Sequence, residues 1–297
     1  MLGWRLFLSS ILIPLLFGLF YFDNRIGESA PILLVFCLLL ALRCVWELVE
    51  LLRDRFSEIS FPLTALCSLG VIAAAWIPHW TKLGDSSATV SSQFTLVAFV
   101  SSVLLLFFVA AIRYREPGKN LETLATEMLI VSYLGLLLSV TAQLRWVAGS
   151  QAGYLAIGSL IVAAKCGDSC AYFSGRLWGK QKMAPRLSPG KTWVGAWGAL
   201  LGSGLGAWAW LQFATPLFNA NWEPCDWYWS VLFGMIIGVT GLIGDLCESL
   251  IKRDMQKKDS APLMPGFGGL LDLLDSILFA GPVAYVLWLI LPLKTWL

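Results

Sequence analysis

Apolar runs of about twenty residues recur along this chain, and no other feature restricts its possible folds so strongly. Wound as a helix, a run of that length crosses the hydrocarbon core of a bilayer and satisfies its own backbone N–H and C=O groups. Nine such segments can be read, at about 4–22, 30–52, 61–80, 93–112, 124–142, 152–164, 193–214, 227–247 and 269–293. Composition agrees. Of 297 residues, 58% are hydrophobic and 13% charged, about half the charge of a soluble domain, and mean hydropathy is +0.73. The expected fold is all-α, a polytopic transmembrane helical bundle of about nine spans. The first segment follows Arg5, runs long and precedes no small-x-small cleavage site, so it reads as a retained helix rather than a signal peptide.

Lysine and arginine are unevenly shared among the connecting stretches. Of 21, fifteen fall in 53–58, 113–122, 165–192 and 245–268, and Arg5 lies on the same side. The opposite side holds Arg25, Lys82, Arg145 and Lys294, with Arg43 inside a span. The positive-inside bias then puts the N-terminus and these four stretches in the cytoplasm, the expected setting being a bacterial cytoplasmic membrane. The long polar loops 165–192 and 245–268 share that compartment, so a polar site is expected at the cytoplasmic face of the C-terminal half. Residues 1–150 read as N-terminal membrane helices, mainly scaffold, and 151–297 as a catalytic membrane region carrying both loops.

Some function classes drop out on simple grounds. A net charge of +2 without a basic patch leaves no footprint for nucleic acid. His79 is the sole histidine, which gives a histidine-based triad or relay little support and leaves a zinc site at CGDSC without a histidine partner. The seven cysteines form no CxxC pair; Cys166 and Cys170, bracketing Asp168 in CGDSC, read as small membrane-embedded side chains. Fifteen tryptophans, among them Trp193, Trp222, Trp227 and Trp296, fit anchoring at the membrane interface. No internal repeat is visible, and the charges gather at one face, so a transporter built from two halves has little support.

Chemistry concentrates late in the chain. Residues 245–259 hold eight charged side chains, of both signs. Asp245 and Glu248 are three apart and share a helix face with Ser249 and Lys252; Asp272 and Asp275 repeat that spacing at the head of the last span. Acids at the edge of membrane helices are costly unless paired or metal-bound. Several at one depth point to oxygen ligands for Mg²⁺, which takes one or two carboxylates plus substrate phosphates. The same acids could instead pair with Lys252, Arg253, Lys257 and Lys258 at the membrane surface, a reading that suits Asp254 best. PGFGGLLD (265–272) brings backbone N–H groups into a turn before a helix start, where negative charge is favoured. The other loop runs from Asp168 through Arg176, Lys180, Lys182 and Arg186 to SPGKT (188–192), which lacks the full phosphate-loop spacing. Lys180 and Lys182 fit a topology signal equally well, whereas Lys191 sits at a helix entrance with Ser188 and Thr192 beside it.

These residues resemble the membrane phosphatidate cytidylyltransferases, or CDP-diacylglycerol synthases. The family's S-x-x-K-R-x4-K-D, glycine turn and D-x-x-D are met by Ser249, Lys252, Arg253, Lys258, Asp259, Pro265, Gly266, Gly268, Gly269, Asp272 and Asp275. GDLCES matches its G-D-L-x-E-S, and the earlier loop matches through Asp168, Ala171, Tyr172, Gly175, Arg176, Ser188, Pro189, Lys191, Thr192 and Trp193. The likeness covers about 165–280. Phe267 stands where the family has histidine, Leu273 where it has arginine and Val194 where it usually has Glu or Gln.

What the resemblance implies is cytidylyl transfer from CTP to phosphatidate in the bilayer, giving CDP-diacylglycerol and pyrophosphate with Mg²⁺. One or two ions are expected, with a monovalent cation compatible beside them, and a homodimer is compatible too. Asp245 and Asp272 lead as metal ligands, with Asp168, Glu248, Asp259 and Asp275 as further candidates. Lys191, Lys252, Arg253 and Lys258 are expected to hold the triphosphate or the lipid phosphate. Ser188, Thr192, Arg176, Ser249 and the Gly266, Gly268 and Gly269 turn complete the phosphate cradle. The alternatives are a catalytically weakened paralogue, a nucleotidyltransferase for a different lipid phosphate, or a membrane transporter.

Overall fold

A computed structural model describes residues 2–56, 58–81, 88–149, 151–263 and 268–294. Gly266, Phe267 and Trp296 therefore lie outside the described residues. Each of the nine apolar segments falls in helix: α1 (Leu2–Ile26), α2 (Pro31–Leu52), α3 (Phe61–Ala74) with the short α4 (Ile77–Thr81), α5 (Ala88–Arg113), and α6 (Asn120–Ile130) continuing through a π-helical turn, Val131–Leu136, into α7 (Leu137–Ala142) and α8 (Leu144–Val147). Then come α9 (Gly153–Trp178), strands β1 (Lys182–Ala184) and β2 (Ser188–Thr192), α10 (Trp193–Phe218), α11 (Trp227–Asp254) and α12 (Leu271–Ile290). Among the described residues six helices are long and apolar enough to cross a membrane: Pro31–Leu52, Val90–Arg113, Asn120–Val147, Gly153–Trp178, Trp227–Asp254 and Leu271–Ile290. Many of their large side chains, such as Leu39, Leu104, Phe108 and Ile290, are exposed on the isolated chain, as faces turned to lipid must be.

The two polar stretches are only partly loop. Helix α9 carries on past the apolar segment to Trp178, so Asp168 and Arg176 are helical, and α11 runs to Asp254. Hydropathy falls where charge begins, but backbone hydrogen bonding does not stop there. Strands β1 and β2 form an antiparallel hairpin pairing Lys182 with Thr192 and Ala184 with Ser188.

The chain packs as two compact units, residues 1–143 with 254–273, and residues 144–253 with 274–297. In the first, Cys67, Val71, Leu106, Leu124 and Val131 make a buried core from α3, α5, α6 and the π-helical turn. Buried acids there close helix starts. Asp23 accepts from the N–H groups of Ile32 and Leu33 at the head of α2, at 2.7 and 3.3 Å. Glu127 accepts from Ser60 N–H, at 2.9 Å, where the chain enters α3. The lone His79 bonds Ser91 Oγ through Nε2, at 2.9 Å.

The second unit is held by small residues that let helices approach closely. Cβ atoms added at Gly198, Gly202 and Gly206 of α10 would strike Ser174, Cys170 and Cys166 of α9 at 2.0–2.9 Å. A ridge of side chains four apart thus lies in a glycine groove, and the two cysteines serve packing. No disulfide occurs among the described residues. Gly234 and Gly238 do the same for α11 against Ser203 of α10, and a Cβ at Gly244 would lie 2.7 Å from the backbone oxygen of Asp275 on α12.

Candidate active site

Close approach at Gly244 sets what α11 and α12 can share. Asp245 follows it, Glu248 is one turn on, and Asp275 faces them; oxygens of the three carboxylates lie within 4.8 Å of one another. Glu248 is fully buried and Asp275 is 8% exposed. Three anions at that spacing repel strongly unless cations or a metal intervene.

Cations are in place. Lys191 Nζ lies 2.8 Å from Asp245 and Lys252 Nζ 2.7 Å from Glu248. Lys191 is fixed by local structure: hairpin strand β2 ends at Thr192, whose Oγ1 accepts from Gly195 N–H at 3.1 Å and caps α10. Beside this group Lys165 pairs with Asp168 at 2.9 Å, while Ser276 Oγ donates to Asp168 at 3.2 Å and accepts from Lys165 at 3.3 Å. Three carboxylates able to present oxygens to one point are a fitting donor set for a hard divalent cation.

Among the other residues singled out by sequence, Ser249 is buried on α11. Arg253 Nε donates to Leu187 O at 3.3 Å, tying the end of α11 to the hairpin turn. Ser188 is half-buried in β2. Arg176 donates to Tyr172 OH at 2.8 Å, one turn back on α9.

The first unit assembles a different acidic site. Asp272 Oδ2 accepts from Ser260 N–H at 2.9 Å, Ser260 Oγ at 2.8 Å and Gly269 N–H at 2.7 Å. Next to it is a residue that the sequence reading passed over. Glu47 of α2, fully buried, accepts from Leu270 N–H at 3.0 Å and Leu271 N–H at 2.9 Å. Ser260 Oγ lies 3.2 Å from Glu47, so its one proton is shared between two carboxylates. Gly268 has φ +89°, and a Cβ there would lie 2.4 Å from Asp272 Oδ2, so this turn requires glycine. In this structure the N–H groups of 269–271 are directed at protein carboxylates. Lys258 and Asp259 line, with Trp46, Glu47 and Ser260, a half-open cavity of about 520 Å³.

The chain matches the cytidylyltransferase family over residues 4–291. A phosphatidate cytidylyltransferase of Haemophilus influenzae is 25% identical over 274 residues, 90% of this chain and 89% of that protein. A phosphatidate cytidylyltransferase of Chlamydia trachomatis is 39% identical over 139 residues, 46% of this chain and 44% of that protein. The uncharacterized protein YnbB of Escherichia coli K12 is 35% identical over 135 residues, 46% of this chain and 43% of its own length. The matched part is thus under half of the chlamydial and Escherichia coli proteins.

Proposed function

The chain belongs to the cytidylyltransferase family, and on that premise we propose that it transfers a cytidylyl group from CTP to phosphatidate in the bilayer, yielding CDP-diacylglycerol and pyrophosphate. The observation that carries this reading is the three-carboxylate group of Asp245, Glu248 and Asp275 with Lys191 and Lys252 against it.

A phosphate oxygen of the lipid attacks the α-phosphorus of CTP; the bond to the β-phosphate oxygen breaks and pyrophosphate departs with the electron pair. The nucleophile is already an anion, so no general base is needed, in keeping with a site built without histidine. Such a transfer depends on placing reactants in line and neutralising charge. Lys191 and Lys252 supply that charge by turning from their carboxylates to substrate phosphates. Arg253, Lys258 and Arg176 are the further phosphate contacts, and Ser188, Thr192, Ser249, Gly266, Gly268 and Gly269 are assigned to orienting them. In the second unit Asp245, Glu248 and Asp275 are the proposed holders of Mg²⁺, one or two ions with a monovalent cation compatible, and Asp168 is assigned as a further ligand; in the first unit Asp259 and Asp272 are assigned as cation ligands of that unit's own acidic site. When bound, Mg²⁺ supplies neutralisation of phosphate charge. The proposed setting is a nine-span protein, with a homodimer compatible, that has this site at the cytoplasmic face of a bacterial cytoplasmic membrane.

A second reading rests on Leu273, half-buried at a place where arginine is the family's residue, and on Phe267. Two positions that would offer donors to an anion are apolar, which favours a lipid phosphate acceptor other than phosphatidate. The test is CTP-dependent conversion of phosphatidate by purified protein in vesicles, with Mg²⁺ and with chelator. Metal-dependent CDP-lipid formation is expected; turnover with a different lipid phosphate alone would move the assignment to the second reading.

A further inference from the structure

We infer that Glu47, on a helix otherwise given over to scaffold, is a positioning residue for the turn that carries Asp272. The inference rests on the function proposed above. A carboxylate inside a membrane helix is costly, and this one is fully buried, yet it lies far in sequence from every motif that carries chemistry. Its contacts explain its presence. Both oxygens are taken up by the head of α12: Oε1 accepts from Leu270 N–H, and Oε2 accepts from Leu271 N–H and faces Ser260 Oγ. The helix start, with its unsatisfied N–H groups and positive dipole end, is the natural partner for such an anion.

Two independent features show that the fit is built. Gly269 leaves no room for any side chain, since a Cβ there would lie 2.1 Å from Ser260 Oγ and 2.4 Å from Glu47 Oε2. Arg43, one turn earlier on α2, holds the outer side of the carboxylate, its Nη2 at 3.0 Å from Oε1, and its guanidinium stacks over Trp46 at 4.3 Å. Glu47 is therefore oriented by its own helix and in turn fixes the N–H groups of Leu270 and Leu271, beside the Gly269 N–H that Asp272 itself accepts from. Asp272 shares Ser260 Oγ with it, so the carboxylate of Asp272 is aimed by the same set of bonds.

A residue that only filled space would affect the amount of folded protein. A positioning residue affects turnover by the folded protein. The experiment compares wild type, Glu47→Gln, Glu47→Leu and Asp272→Asn as full-length protein in vesicles, with folded fraction measured by size exclusion. Hydrogen–deuterium exchange at the amides of 269–271 is followed alongside. Glu47→Gln keeps the shape and one acceptor, and its kcat is expected to fall about 10–100-fold with KM for CTP nearly unchanged, a loss of the size seen when an orienting partner is removed. Glu47→Leu is expected to fall further, so that the amide variant shows partial rescue, and both are expected to speed exchange at 269–271. Unchanged kcat per folded molecule in Glu47→Gln, or exchange at 269–271 equal to wild type, overturns the inference. Wild type that makes no CDP-lipid from any lipid phosphate overturns the proposed function instead, and exchange at 269–271 then decides the role of Glu47 by itself.

Discussion

Both units of this protein set carboxylates among apolar helices, and they surround them differently. In the first unit Asp23, Glu47 and Glu127 each face backbone N–H groups at the entry of a neighbouring helix. Such an acid is an acceptor matched to donors that have no partner within their own helix, and the pairing fixes where helices begin. In the second unit Asp245, Glu248 and Asp275 face one another, and their balancing charges are the ammonium groups of Lys191 and Lys252. An acid satisfied by backbone is committed, whereas one set against like charge and a lysine can exchange partners. The difference separates carboxylates that hold the fold from carboxylates that can hold a ligand.

The sharpest way to break this comparison is to neutralise one acid of the second unit. Asp275→Asn is expected to lower kcat by roughly 100–1,000-fold, measured as CDP-lipid formed per folded molecule. Its thermal midpoint is expected to be equal to or above wild type, because one of three repelling charges is gone. A loss of stability in proportion to the loss of activity would put Asp275 with the structural acids.

Geometry comes next. Gly244→Val forces a side chain against the backbone of Asp275 and moves α11 from α12 with every charged group left in place. Displacement by about 1 Å is expected to cost on the order of 100-fold in kcat. Binding of Mn²⁺, read by electron paramagnetic resonance, should weaken with it. Lys191→Met, third in size, is expected to raise KM for CTP about tenfold through lost phosphate contact, with kcat less affected. A change confined to stability would make Lys191 a partner of Asp245 only.

How much of this was legible beforehand follows from what each signal measures. Hydropathy marks where lipid is tolerated, so the nine apolar segments appear as helix, but it is blind to helices that continue into water. That is why 165–178 reads as loop although α9 continues through it. A three-residue strand such as β1 carries too little alternation to register. Asp245, Glu248 and Asp275 were visible because acid spacing and flanking charge coincide there. Asp272 was visible too, but not that its Oδ2 is taken up by Ser260 and Gly269, since partners so placed are set by tertiary structure. Glu47 was hidden in RCVWELVELL, where Arg43 four residues earlier makes it look like a surface ion pair. The available signal was an acid deep within an apolar run.

The smallest expected effect on chemistry belongs to Glu127→Gln, and it completes the contrast. The bond from Ser60 N–H to the buried Glu127 is itself part-buried, so weakening it by replacing the carboxylate should cost about 0.5–1.5 kcal/mol of stability. That is a drop of about 1–5 °C in the thermal midpoint in detergent for a chain of this size. Turnover per folded molecule should stay within about twofold of wild type, because the Ser60–Glu127 bond belongs to the first unit and the Asp245, Glu248 and Asp275 group to the second. Set beside Asp275→Asn, the two variants should exchange roles, one keeping its melting point and losing turnover, the other the reverse. If Glu127→Gln instead lost turnover while staying folded, capping acids of the first unit would reach the chemistry generally, and Glu47 would be one case of a wider coupling rather than a residue set apart by its place beside Asp272.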